Sequence, residues 1–125
     1  MWTKLAAIAL AGAVGTLTRY GLSGWAQRLV GGGFPWGTLS VNLAGSLLAG
    51  IFWAMAENRI SLSGEIRAIV LVGFMGGFTT FSAFMLETGE LMRDAQWSWV
   101  IGNLLLQNLG GLACFFAGRS VGQLI

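Results

Sequence analysis

A chain of 125 residues that is 55% hydrophobic and only 10% charged, with a mean hydropathy of +0.72, has too little polar material to clothe a water-soluble domain. The net charge of +2 comes from scattered basic residues, which form no patch for a nucleic acid. The single cysteine, Cys114, has no partner for an intrachain disulfide, and no nucleophile–base set or metal-ligand cluster points to an enzyme.

Four apolar segments follow one another, at about residues 5–30, 36–55, 66–87 and 97–117. Each is close to the roughly 20 residues that cross about 30 Å of hydrocarbon as a helix. The expected fold is therefore an all-α membrane protein, a single transmembrane domain over residues 1–125 with four spans in the lipid bilayer. Trp2, Trp25, Trp36, Trp97 and Trp99 fall near predicted ends, where indoles favour the headgroup zone.

The first segment follows Lys4 and carries Ala7, Ala11 and Gly15 at a four-residue spacing suited to helix packing. A cleaved signal peptide is the competing reading, on the strength of Lys4, the apolar run and Ala11-Gly12-Ala13. Arg19, near the end of this span, lines a polar cavity, meets a buried partner or snorkels to the interface. The second segment bears Thr38, Asn42, Ser46 and Ala49 on one helical face. Asn42 is costly in hydrocarbon unless bonded, and it offers two N–H donors to a dehydrated anion or to a neighbouring helix.

The third segment contains Gly73-Phe74-Met75-Gly76-Gly77-Phe78-Thr79-Thr80-Phe81-Ser82-Ala83-Phe84, poor material for a continuous helix. A break there frees backbone groups that can address ions, whereas the plainer reading is a glycine-rich packing face. Phe81 and Phe84 share a face and carry positively polarised ring edges. Glu57, Glu65, Glu90 and Asp94 are expected in loops, with Glu87 at a helix margin. The fourth segment places Asn103 and Gln107 four residues apart, with Asn108 beside them.

Four spans put Lys4, Arg59, Arg67 and Arg119 on one side and Arg28 and Arg93 on the other. That weak bias suits either one orientation or two opposed copies in an antiparallel dimer.

The string from Gly76 to Phe84, together with Gly12 to Tyr20 and Gly37-Thr38-Leu39 through Asn42 to Gly45, resembles the Fluc (CrcB) family of fluoride channels over nearly the whole chain. The resemblance implies a passive, fluoride-selective channel conferring fluoride resistance in a prokaryotic plasma (inner) membrane. It also implies an antiparallel dual-topology homodimer whose third helix is broken mid-membrane. By position, Asn42, Phe81 and Phe84 would form the anion pathway, with Thr80, Ser82, Glu87 and Thr88 as weaker pore-side candidates. Gly76 and Thr79 would offer backbone carbonyls to a structural Na⁺ at the subunit interface. Arg19 matches the family's arginine, with structural and anion-attracting roles both open. Ala83 stands where the family often has Thr, and Gln107 and Gly111 where Asn and Ser are frequent. A small four-helix multidrug exporter, expected to carry an acid in its first helix, and a noncatalytic membrane assembly subunit are the alternatives.

Overall fold

The computed structural model describes residues 1–58 and 61–125. Arg59, counted above in the orientation bias, lies outside them. The regular structure among the described residues is all helical, and four helical segments are long and apolar enough to cross a membrane: Trp2–Val30, Trp36–Glu57, Gly64–Arg93 and Trp97–Leu124.

Helix α1 (Trp2–Val30) has no internal proline and stops where Gly31 and Gly32 adopt φ of 74° and 77°, the left-handed region that glycine enters freely. Gln27 folds the turn that follows. Its Nε2 donates to the carbonyls of Gly32 and Phe34 at 3.2 and 3.0 Å, and its Oε1 accepts from Gly37 N–H at 3.1 Å. The first turn of α2 (Trp36–Asn58) closes with Leu39 N–H on the Pro35 carbonyl at 3.2 Å.

The third apolar segment is not one helix. Helix α3 covers residues 64–78, opened by Ser63, whose hydroxyl accepts from Ile66 N–H, and widened to a π-helix at Ala68–Met75. Thr79 (φ −93°, ψ 161°) and Thr80 (φ −151°, ψ 116°) are extended, and α4 (Phe81–Arg93) begins immediately after them. Thr80 caps the new helix by accepting Ala83 N–H on its hydroxyl at 3.2 Å. Helix α5 (Trp97–Leu124) widens once, at Leu106–Gly110.

These helices run past the apolar stretches read from hydropathy, so Glu57, Glu65 and Glu90 are helical and only Asp94 lies beyond a helix end. The backbone ladder continues where hydrocarbon stops, because a helix satisfies its own groups in water as well as in lipid. At one such end Arg119 meets Glu57 at 3.6 Å.

Small residues hold the bundle together, as expected where lipid removes the hydrophobic drive between helices. The most extensive contact joins α2 to the last part of α5, where a Cβ on Gly50 or Gly118 would run into the backbone carbonyl of Phe115 or Leu47. Helix α1 packs on α3 in the same way, with Gly15 against the Phe74 carbonyl and Gly77 against that of Gly12. Replacing Gly118 by Leu should lower stability by about 1–3 kcal/mol or more through overpacking. Gly21→Ala, where a Cβ meets nothing within 4 Å, should move it by less than about 1 kcal/mol. Thermal melts of the detergent-solubilised protein separate the two.

Candidate functional site

The two extended residues between α3 and α4 are held from α2. Asn42 Oδ1 accepts from Thr80 N–H at 2.8 Å, and its Nδ2 donates to the Thr80 carbonyl at 3.0 Å. One side-chain amide thus satisfies both backbone groups of one residue, as a neighbouring strand would. The other Nδ2 hydrogen goes to Oε1 of Gln107 on α5, also at 3.0 Å. Asn42 therefore ties three elements, and both of its donors are occupied.

Four carbonyls, those of Gly76 to Thr79, lose their helical donors in this arrangement. In an unbroken helix Thr80 N–H would return to Gly76 and Ala83 N–H to Thr79. The first goes to Asn42 and the second to the Thr80 hydroxyl instead. The Gly76 and Thr79 carbonyls are the two of these four assigned to Na⁺ on the resemblance, and hard oxygen donors of this kind suit a small monovalent cation. Between them, the Gly77 carbonyl accepts from Arg19 Nε at 3.0 Å. Arg19 is thus anchored to the interruption by its side chain.

Asn42, Thr80, Phe81 and Phe84 line one open cavity of about 360 Å³. Ser46, Gln107 and Asn108 add polar groups to its wall, and Leu71 and Met75 add apolar ones. The Phe81 and Phe84 rings meet edge to face, with centroids 5.8 Å apart and planes at 79°. Phe84 is buried at 5% exposure, while Phe81 stands 72% exposed.

Three of the weaker candidates lie elsewhere. Ser82 is exposed and reaches only the Thr80 hydroxyl, at 3.4 Å. Thr88 is buried, donates to the Phe84 carbonyl at 2.7 Å and accepts from Asn103 Nδ2 at 3.0 Å. Glu87 accepts from the Thr38 hydroxyl at 2.7 Å and lines a separate polar cavity with Glu90, Arg93 and Asp94. Its Oε2 is buried without a hydrogen-bond partner. Of the fourth-segment amides, Gln107 and Asn108 line the cavity of Asn42, and Asn103 is buried in the protein. In the sequence Gln107 stood out as an amide four residues from Asn103 and as a departure from the family pattern, and nothing in its spacing pointed to Asn42.

The family described as "CrcB-like protein, Camphor Resistance (CrcB)" matches residues 6–119. A protein of Nitrosococcus oceani is 54% identical over the whole of both chains, and one of Desulforapulum autotrophicum 54% identical over 98% of each. A third, from Solidesulfovibrio magneticus, is 48% identical over the whole of both chains. Each of these relatives is described as a fluoride-specific ion channel FluC.

Asn42→Leu would strip Thr80 of both side-chain partners and cost about 2–6 kcal/mol, the sum expected for two backbone groups left unpaired. A lower melting temperature and faster hydrogen exchange at the Thr80 amide are the expected readouts. Unchanged exchange would show that another contact holds the extended residues.

Proposed function

The chain belongs to the CrcB-like family, and on that premise we propose that it is a fluoride-selective channel that lets fluoride leave a prokaryotic cell passively across the inner membrane. The observation that carries the reading is the cavity in which the Asn42 amide, the start of α4 and the Phe81–Phe84 pair converge. Fluoride is small and strongly hydrated, so a pore that passes it must replace water with donors and ring edges in a narrow track. The first N–H groups of α4 add the positive end of a helix dipole. A larger halide matches the same contacts poorly, and binding stays weak enough for release because the donors are neutral. Fluoride that enters as HF and dissociates in the cytoplasm then drains outward.

The working unit in this reading is an antiparallel homodimer with the interruption at Thr79–Thr80 near mid-membrane. Three features support it. The cavity stands open on the single subunit, Phe81 is largely uncovered, and the flanking basic residues carry only a weak bias of four to two between the sides. The Gly76 and Thr79 carbonyls would hold Na⁺ at the subunit interface, where the ion supplies a fixed positive charge beside the track. Both oxygens lack a helical donor, as do those of Gly77 and Phe78, and the choice of this pair rests on the resemblance. The reading requires no catalytic group. The acid that a four-helix exporter would carry in its first helix is absent from α1, whose residues include no Asp or Glu.

Liposomes loaded with fluoride test the proposal. Efflux should be fast when a potassium ionophore clamps the voltage, and chloride should stay inside in a matched experiment. Asn42→Ala and Phe81→Ile should cut fluoride flux by roughly 10-fold or more, the scale of a lost bond to a charged group. Retention of fluoride by folded, reconstituted protein contradicts the function. Replacing Na⁺ with N-methylglucamine should lower both flux and melting temperature if the cation assignment holds.

A further inference from the structure

The hydrogen bonds that start at Asn42 have a fixed direction. A backbone N–H only donates, so the Thr80 N–H bond identifies the atom facing it as Asn42 Oδ1. The Asn42 nitrogen is then the atom turned to Gln107, and it requires Oε1 there, at 3.0 Å. Gln107 Nε2 is left to Asn103 Oδ1 at 3.5 Å, Asn103 Nδ2 donates to Thr88 Oγ1 at 3.0 Å, and the Thr88 hydroxyl ends on the Phe84 carbonyl at 2.7 Å. Two backbone groups, one at each end, polarise the whole chain of amides.

The two partners of Asn42 Nδ2 are not equivalent. The Thr80 carbonyl is fixed at the start of α4. Gln107 Oε1 is the tip of a long side chain, on the cavity wall shared with Asn42, Phe81 and Phe84. It rises from the π-helical stretch Leu106–Gly110, a kind of local widening that recurs at functional positions. The 3.5 Å contact to Asn103 is the longest in the chain and holds Gln107 least. An anion accepting from Asn42 makes a charge-assisted bond, about twice as strong as the neutral one it replaces.

We propose that Gln107 is a specificity-determining residue in this chain: its Oε1 occupies the Asn42 hydrogen that fluoride needs, and each ion reaches Asn42 by displacing it. This inference rests on the fluoride reading above. Fluoride, which approaches an N–H closely, gains more than the displaced acceptor loses. A larger halide gains less and is turned away.

The test compares wild type, Gln107→Met and Gln107→Glu in two readouts: the fluoride dependence of liposome efflux, and the fluoride-dependent rise in melting temperature of the solubilised protein. Met keeps the length of Gln without its acceptor, so the half-effective fluoride concentration should fall by about fivefold in both readouts. Chloride should then begin to compete. Glu accepts from Asn42 more strongly and repels the ion, and should raise the half-effective concentration by about 10-fold or more. Unchanged values in both variants, with wild type conducting, overturn the role of Gln107. A higher value in Gln107→Met also overturns it, since Gln107 would then be a plain donor. If Gln107→Met does not fold, the isosteric Gln107→Glu decides alone. A wild type that passes no fluoride defeats the channel reading itself, and this inference with it.

Discussion

One side chain makes the rest of the architecture possible: Asn42 bonds both the N–H and the C=O of Thr80. Two extended residues inside an apolar segment would otherwise leave backbone groups unpaired, at several kcal/mol each in hydrocarbon. With Thr80 satisfied from α2, the chain can leave its helix at Phe78 and resume at Phe81. The start of α4 then meets the cavity, the four carbonyls from Gly76 to Thr79 lose their usual donors, and the remaining Asn42 hydrogen is directed to Gln107.

Glycine packing places that amide within reach. Gly15 and Gly77 let α1 and the end of α3 approach backbone to backbone, and the same approach brings Arg19 to the Gly77 carbonyl. On the other side, Gly50 and Gly118 seat α2 against α5, which brings Asn42 and Gln107 to one wall of the cavity. The small residues thus fix distances between helices, and the polar residues act at the distances so fixed. The π-helical stretches Ala68–Met75 and Leu106–Gly110 both border this region, so the backbone is least regular where the polar groups gather.

Much of this was legible in the residues themselves. Runs of apolar residues near helix-spanning length marked the four segments, and the stripe Thr38, Asn42, Ser46 and Ala49 marked the polar face of α2. What was not legible depends on how helices cross. Asn42 meets partners 38 and 65 positions away, and no spacing rule within one helix reports such a pairing. The occupation of both its donors, the pairing of Thr38 with Glu87 and the burial of Thr88 against Asn103 are of the same kind. The acids Glu57, Glu65 and Glu90 were expected in loops because charge marks the edge of hydrocarbon. Charge does not mark the end of a helix, which continues into the interface.

The most direct measurement follows the Asn42 side chain itself. In asparagine-labelled protein in lipid nanodiscs, nitrogen–proton correlation spectra would be recorded during titration with fluoride and, separately, with chloride. The account predicts that the Asn42 Nδ2 protons shift progressively with fluoride and stay in place with chloride, as the bond to Gln107 gives way to one with the ion. Asn42 resonances that ignore fluoride while the same nanodisc preparation, reconstituted into liposomes, conducts it would contradict the account and place the pathway elsewhere.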